Sequence, residues 1–157
     1  MKKSVYIESS IISYLTARLA QDLVSAARQK LTLDWWETSR QSFDALISEV
    51  VIQELQRGDP TAAQRRLAAI SALTVVRTTR EAVDMAKRLI VDRAVPEKSA
   101  IDALHIAVAS QCGANFLLTW NFKHINNAAT RELIARCIQA EGYVCPVLCS
   151  PEELLGN

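Results

Sequence analysis

Five short apolar runs, each followed by a helical segment, constrain this chain more than any other feature. The runs cover residues 4–8, 43–48, 73–77, 115–120 and 144–148. They are continuous rather than alternating, and the third is rich in β-branched residues. A strand covered on both faces reads this way, whereas a strand with one wet face alternates polar and apolar residues. A parallel neighbour requires a crossover, usually a helix, so strand–helix alternation argues for a parallel sheet. The expected fold is therefore a three-layer α/β/α sandwich around a central five-stranded parallel sheet.

The helical segments carry their own punctuation. Residues 10–18 suit a helix, and residues 21–41 a longer one. The longer one has Leu23, Ala26, Ala27 and Leu31 on one stripe and Trp35 and Trp36 near its end. Residues 50–57 stop at Gly58-Asp59-Pro60, and residues 61–70 form the next helix. Thr78-x-x-Glu81 has the form of a capping box and opens a helix to about Arg93. Ser99 opens another, which runs to Gln111 and stops at Gly113. Asn127 starts a helix with Leu133, Ile134, Cys137 and Ile138 on one face. Ser150-Pro151-Glu152-Glu153 is a last capping-box start, with Pro at the first helical position. No repeat, low-complexity tract or linker interrupts the 157 residues, so a single domain over 1–157 is expected.

Charge and composition narrow the function classes. Lys and Arg number 18 against 17 Asp and Glu, for a net charge of +1. A nucleic-acid partner would have to be met by a local basic patch, not by the overall charge. Near-neutrality also leaves little repulsion against self-association. Lys2 and Lys3 precede only Val5-Tyr6-Ile7, too short for the apolar core of a secretory signal. The uncharged stretch from Ile106 to Phe122 is broken by Gln111, Gly113, Asn115 and Asn121, so it suits no membrane span. A cytoplasmic protein is expected. Cys112, Cys137, Cys145 and Cys149 form no C-x-x-C pair and read as buried, reduced thiols. Neither a Gly-rich nucleotide fingerprint nor a Gly-x-Ser-x-Gly elbow is present.

In an open parallel sheet, ligands bind beyond the carboxyl ends of the strands. Glu8 ends the first run, Ser48 and Glu49 follow the second, and Asn121 follows the fourth. Glu54 lies at the edge of an apolar helix face, and Asp102 sits among Ile101, Ala103, Leu104 and Ile106. A carboxylate against apolar surface is costly unless it is paired, hydrogen-bonded or metal-bound. Hard oxygen ligands on rigid elements suit Mg²⁺ or Mn²⁺. Each residue also has a plainer reading. Glu8 and Glu49 suit helix-start acids, Glu54 a solvated helix residue, Asp102 the partner of Ser99 in a capping box, and Asn121 a turn. His105, on an otherwise apolar helix, reads as a packed core residue, and Lys123-His124 could touch phosphate. The residues by themselves leave these alternatives open.

Four segments together resemble the PIN-domain family, including the VapC-type toxins. They are Tyr6-Ile7-Glu8-Ser9-Ser10, Ile47-Ser48 with Glu54-Leu55, Ile101-Asp102-Ala103-Leu104-His105-Ile106-Ala107, and Leu118-Thr119-Trp120-Asn121. The likeness spans nearly the whole chain, and the third segment is the most specific. It implies that Glu8, Glu54 and Asp102 occupy metal-holding acidic positions. It puts Asn121 in the fourth catalytic position, with Ser9 and Thr119 at hydroxyl positions beside the site. It further implies an Mg²⁺- or Mn²⁺-dependent endoribonuclease working by metal-assisted phosphodiester hydrolysis. The resemblance also implies the toxin of a type II toxin–antitoxin pair, as many family members are, with an RNA substrate, a small antitoxin and a homodimeric state. Tyr14, Leu15, Trp35 and Trp36, within 10–41, are the expected dimer surface, since aromatics are enriched at interfaces. Two positions depart from the family pattern. The first acid is usually Asp and here is Glu8; the fourth is often Asp and here is Asn121. These keep alive an alternative, a catalytically degenerate PIN module that binds RNA or a protein partner.

Overall fold

The computed structural model describes residues 1–156. Its centre is strand β1 (Lys3–Ile7), whose Val5, Tyr6 and Ile7 are all fully buried. On one side β1 pairs with β2 (Phe43–Ser48), and β2 with β3 (Thr74–Val76). On the other it pairs with β4 (Phe116–Leu118), and β4 with β5 (Val147–Cys149). All four pairings are parallel, and Val5 lies opposite Ala45 on one flank and Phe116 on the other. This is the five-stranded parallel sheet, flanked by helices, that the apolar runs imply. The edge strands are wetter: Val75 is 47% exposed and Val147 58%. The order β3-β2-β1-β4-β5 grows outward from β1 in one direction, then restarts in the other. That reversal makes the carboxyl edge between β1 and β4 the topological switch point, where open parallel sheets bind ligands.

The helices are α1 (Ser9–Thr16), α2 (Leu23–Asp34), α3 (Glu49–Leu55), α4 (Pro60–Ala69), α5 (Arg80–Val91), α6 (Ala100–Gln111) and α7 (Arg131–Ala140). Helix α1 packs on α2 and α4, and α5 packs on α6 and α7. Side-chain caps start most of them. Asp22 accepts from the Ser25 N–H, Ser48 from Val51, Asp59 from Ala62 and Thr79 from Ala82. Thus α5 is capped by Thr79, one residue later than the Thr78 box expected. The box at Ser150 and Glu153 forms as expected, around a single 3-10 turn.

Three other boundaries differ most from expectation. The helix expected over 21–41 is regular only to Asp34. It then widens into a π-turn over Trp35–Ser39 and tightens into a 3-10 turn over Arg40–Ser42. Those turns bury Trp35 completely against Trp36 and Phe43, and Arg40 stacks 4.4 Å from the centre of the Trp36 ring. Trp35 therefore has no surface to offer a dimer. The last strand begins at Val147, not at 144, because Pro146 has no N–H to give a ladder. Asn127 forms a turn, its Oδ1 accepting from the Ala129 N–H, and α7 starts at Arg131. Among the described residues, no helix is long and apolar enough to cross a membrane. The cysteines are free thiols.

Candidate metal centre

Glu8 and Thr119 stand at the switch point itself, one residue beyond β1 and β4. The Glu8 N–H reaches Leu118 O at 3.1 Å, and the Thr119 N–H reaches Cys149 O at 2.9 Å, so both backbones are pinned by an extension of the ladder. The Glu8 side chain folds back over the start of α1 and caps it. Its Oε2 accepts from the Ser10 N–H at 3.0 Å. Its Oε1 accepts from Ser10 Oγ at 2.5 Å and from Thr119 Oγ1 at 2.6 Å. Caps are usually made by shorter side chains. Here the extra methylene is taken up by this return, which leaves Glu8 only 5% exposed at the strand edge.

Glu54 arrives from the last turn of α3. Its Oε1 accepts from Ser9 Oγ at 2.6 Å and from His105 Nε2 at 2.5 Å. Among the described residues, no protein donor reaches its Oε2. Burial pushes the Glu54 carboxyl up, but the His105 hydrogen bond and charge and the Ser9 hydroxyl outweigh it, and the net shift is downward. His105 is completely buried, as its apolar surroundings suggest, yet it does more than pack. Nδ1 lies 2.8 Å from the Tyr6 hydroxyl, which lies 2.6 Å from Ser48 Oγ. Burial lowers the His105 pKa, but the Glu54 bond and the charges of Glu8, Glu54 and Asp102 outweigh it, so the net shift is upward.

Asp102 sits half-buried in the first turn of α6. Burial raises its carboxyl, and the charge of Glu8 adds to the rise; the Asn121 side chain, His105 and His124 oppose it. Ser99 makes no side-chain cap bond and departs from extended geometry, at φ −112° and ψ 38°. The capping-box reading of Asp102 is therefore not realised. No Lys or Arg lies within ion-pair distance of Glu8, Glu54 or Asp102 among the described residues. Glu8, Glu54 and His105 present atoms within 4.8 Å of one another, and Asp102 lies outside that tightest group. Both His105 nitrogens already have partners, so the oxygens are the available donors. Crowded, largely buried carboxylates whose one ion-pair partner is His105, on Glu54 alone, fit a hard divalent ion.

The remaining residues take more local roles. Asn121 Oδ1 accepts from the Lys123 N–H at 3.2 Å and the His124 N–H at 2.9 Å, and its own N–H goes to Thr119 Oγ1 at 2.9 Å. That is turn chemistry, and it occupies the oxygen a ligand would use. Lys123 is exposed and His124 half-buried. Glu49 is exposed in the first turn of α3, its Oε2 3.4 Å from the Thr78 N–H, as a helix-start acid. Sequence reasoning missed Ser10, which ties Glu8 to Trp120 through a 2.9 Å bond from the Trp120 N–H. It also missed the partners of His105. The spacings Tyr6-x-Glu8 and Asp102-x-x-His105 were the available signals, because each puts a polar residue beneath an acid on one face.

Residues 5–129 match the family model of the PIN domain. In shape the chain is similar to Mycobacterium tuberculosis VapC20, described as a Sarcin-Ricin loop cleaving toxin. The TM-score is 0.60 and the identity 20%, over 90% of this chain and 97% of that one. No curated protein matches the sequence.

Proposed function

Since this chain belongs to the PIN domain family, we propose that it is a divalent-cation-dependent endoribonuclease, the toxin of a type II toxin–antitoxin pair. One observation carries the reading. Carboxylates from the end of β1, from α3 and from α6 converge at the switch point of a parallel sheet, with no Lys or Arg within ion-pair distance among the described residues. Glu8, Glu54 and Asp102 would hold Mg²⁺ or Mn²⁺. When bound, such an ion offsets charge on the scissile phosphate and makes a water nucleophilic. Ser9 and Thr119 orient the two glutamates through their hydroxyls. The Asn121 turn presents Lys123 and His124 on the same edge, in reach of a phosphodiester backbone.

The partners follow from the same proposal: an RNA, a small antitoxin and a second copy of this chain, in the cytoplasm, as a single domain. With Trp35 buried, the dimer surface would fall to the exposed apolar residues of the same region. Leu19, Leu23 and Val24 are 84%, 87% and 62% exposed.

The test is cleavage of RNA, beginning with a sarcin-ricin loop oligonucleotide. Mn²⁺ should support cleavage, a chelator should abolish it, and Glu54→Gln should be inactive. Binding of the RNA without cleavage, with or without metal, would instead favour a degenerate binding module. The Asn121 oxygen, spent on its own turn, is the observation behind that second reading.

A further inference from the structure

We infer that Tyr6, His105 and Ser48 form a buried layer that positions the acids above them, so that affinity for the cation depends on residues that never touch it. The inference rests on the cation-binding reading proposed above.

The geometry is continuous. Val51 N lies 3.4 Å from Ser48 Oγ, Ser48 Oγ 2.6 Å from the Tyr6 hydroxyl, the Tyr6 hydroxyl 2.8 Å from His105 Nδ1, and His105 Nε2 2.5 Å from Glu54 Oε1. The two ends fix the direction of the outer bonds, and the protonation state of His105 decides the middle ones. A backbone N–H can only donate, and an ionised carboxylate can only accept. With a neutral His105 protonated on Nε2, Val51 donates to Ser48, Ser48 to Tyr6, Tyr6 to Nδ1, and Nε2–H to Glu54. Each polar hydrogen then has an acceptor, which satisfies groups that are otherwise costly to bury. Tyr6, Ser48 and His105 are all 0% exposed, so no water can replace a missing link.

The placement of these residues is what ties them to the site. Tyr6 precedes Glu8 by two positions on an extended strand, so the two share a face. His105 follows Asp102 by three on a helix, so it lies on the same side one turn below. Ser48 caps the first turn of α3, and Glu54 stands on its last turn. The chain of bonds therefore joins the three elements that carry the acids, and it runs directly beneath them. Outer groups of this kind typically change metal affinity or activity by about 10- to 100-fold when removed.

Calorimetric titration of the metal-free protein with Mn²⁺ tests the inference without relying on activity. Tyr6→Phe keeps the ring in the core and removes only the hydroxyl; Mn²⁺ affinity should fall about tenfold. His105→Gln keeps an N–H for Glu54 and breaks the same link from the other side. The double variant should be no weaker than the weaker single, because each change cuts one chain. Ile138→Val, a core change on α7, should leave Mn²⁺ affinity unchanged. Affinity unchanged in both Tyr6→Phe and His105→Gln, strictly additive losses, or an equal loss in Ile138→Val would overturn the inference while leaving the cation reading intact. A parent protein that takes up no Mn²⁺ would end that reading, and this inference with it.

Discussion

Ser9 Oγ donates to Glu54 Oε1 at 2.6 Å, so the residue directly after Glu8 holds a carboxylate 45 positions further along the chain. The strand end that carries one acid thus orients another. Ser9→Ala would leave Glu54 with His105 alone and free to rotate about that single bond. Mn²⁺ affinity, read by calorimetry, should fall about tenfold, with Ser9→Thr retaining most of it. Equal affinity in Ser9→Ala and the parent would show that this hydroxyl does not set Glu54.

Thr119 makes the matching bond to Glu8 from the other side of the switch point. Thr119→Val preserves shape and removes the donor. Hydrogen bonds to charged groups contribute about 1.5–3 kcal/mol, and both residues are buried. A loss of that size should appear in urea melts of the metal-free protein. A change under about 0.5 kcal/mol would place the effect within the ordinary range for surface substitutions.

Asp102 makes a prediction with the opposite sign. Its carboxyl is raised above the usual 3.8 by burial first and by Glu8 second. Folding therefore favours the protonated acid, and stability falls as pH rises from the unfolded value through the folded one. Asp102→Asn should raise the melting temperature of the metal-free protein at pH 7, with the gain shrinking as the buffer approaches pH 3. The same variant should lose cleavage, and Mn²⁺ should no longer raise its melting temperature. A lower melting temperature at pH 7 would mean that Asp102 supports the fold.

The sheet was legible because its signal is local. Val5, Tyr6 and Ile7 form an unbroken apolar run, and only a strand covered on both faces rewards that. Glu8 was legible from its strand end, and Glu54 and Asp102 as acids beside apolar surface. The roles of other residues depended on distant parts of the chain. His105 looked like packing because Glu54 is 51 positions away and Tyr6 99. The end of α2 was overrun because Trp35–Ser42 keeps helical periodicity while its hydrogen bonds change register. Ser99-x-x-Asp102 has the residues of a capping box but not the backbone angles, and angles are not written in the motif.

The thiols give a test independent of the site. Burial pushes Cys145 up to about 11 and Cys149 up to about 12, and it also raises Cys112 and Cys137. The thiolate is the reactive form. At pH 8 the folded protein should react slowly with a disulfide reagent and release its full thiol count only in denaturant. Rapid labelling of Cys149 in the native state would contradict the packing around β5.

Glu8 supplies the last prediction, through the way its side chain returns onto α1. An Asp at this position is a favoured cap and would still reach the Ser10 N–H, so the fold should be little affected. It would not also keep the carboxylate on Thr119 Oγ1, which Glu8 meets at 2.6 Å. The acid would be drawn back toward the helix by on the order of 1 Å, and a misplacement of that size can lower a rate about 10²-fold. Glu8→Asp should therefore cleave RNA about 10²-fold more slowly than the parent, although Asp is the commoner residue in the family pattern. Glu8→Gln keeps the length but removes the charge and should be slower still. With the Asn121 oxygen turned into its own loop, the three acids should hold one ion tightly per chain. Two tight Mn²⁺ sites by calorimetry, or a Glu8→Asp protein faster than the parent, would show that the site is fitted to the shorter acid after all.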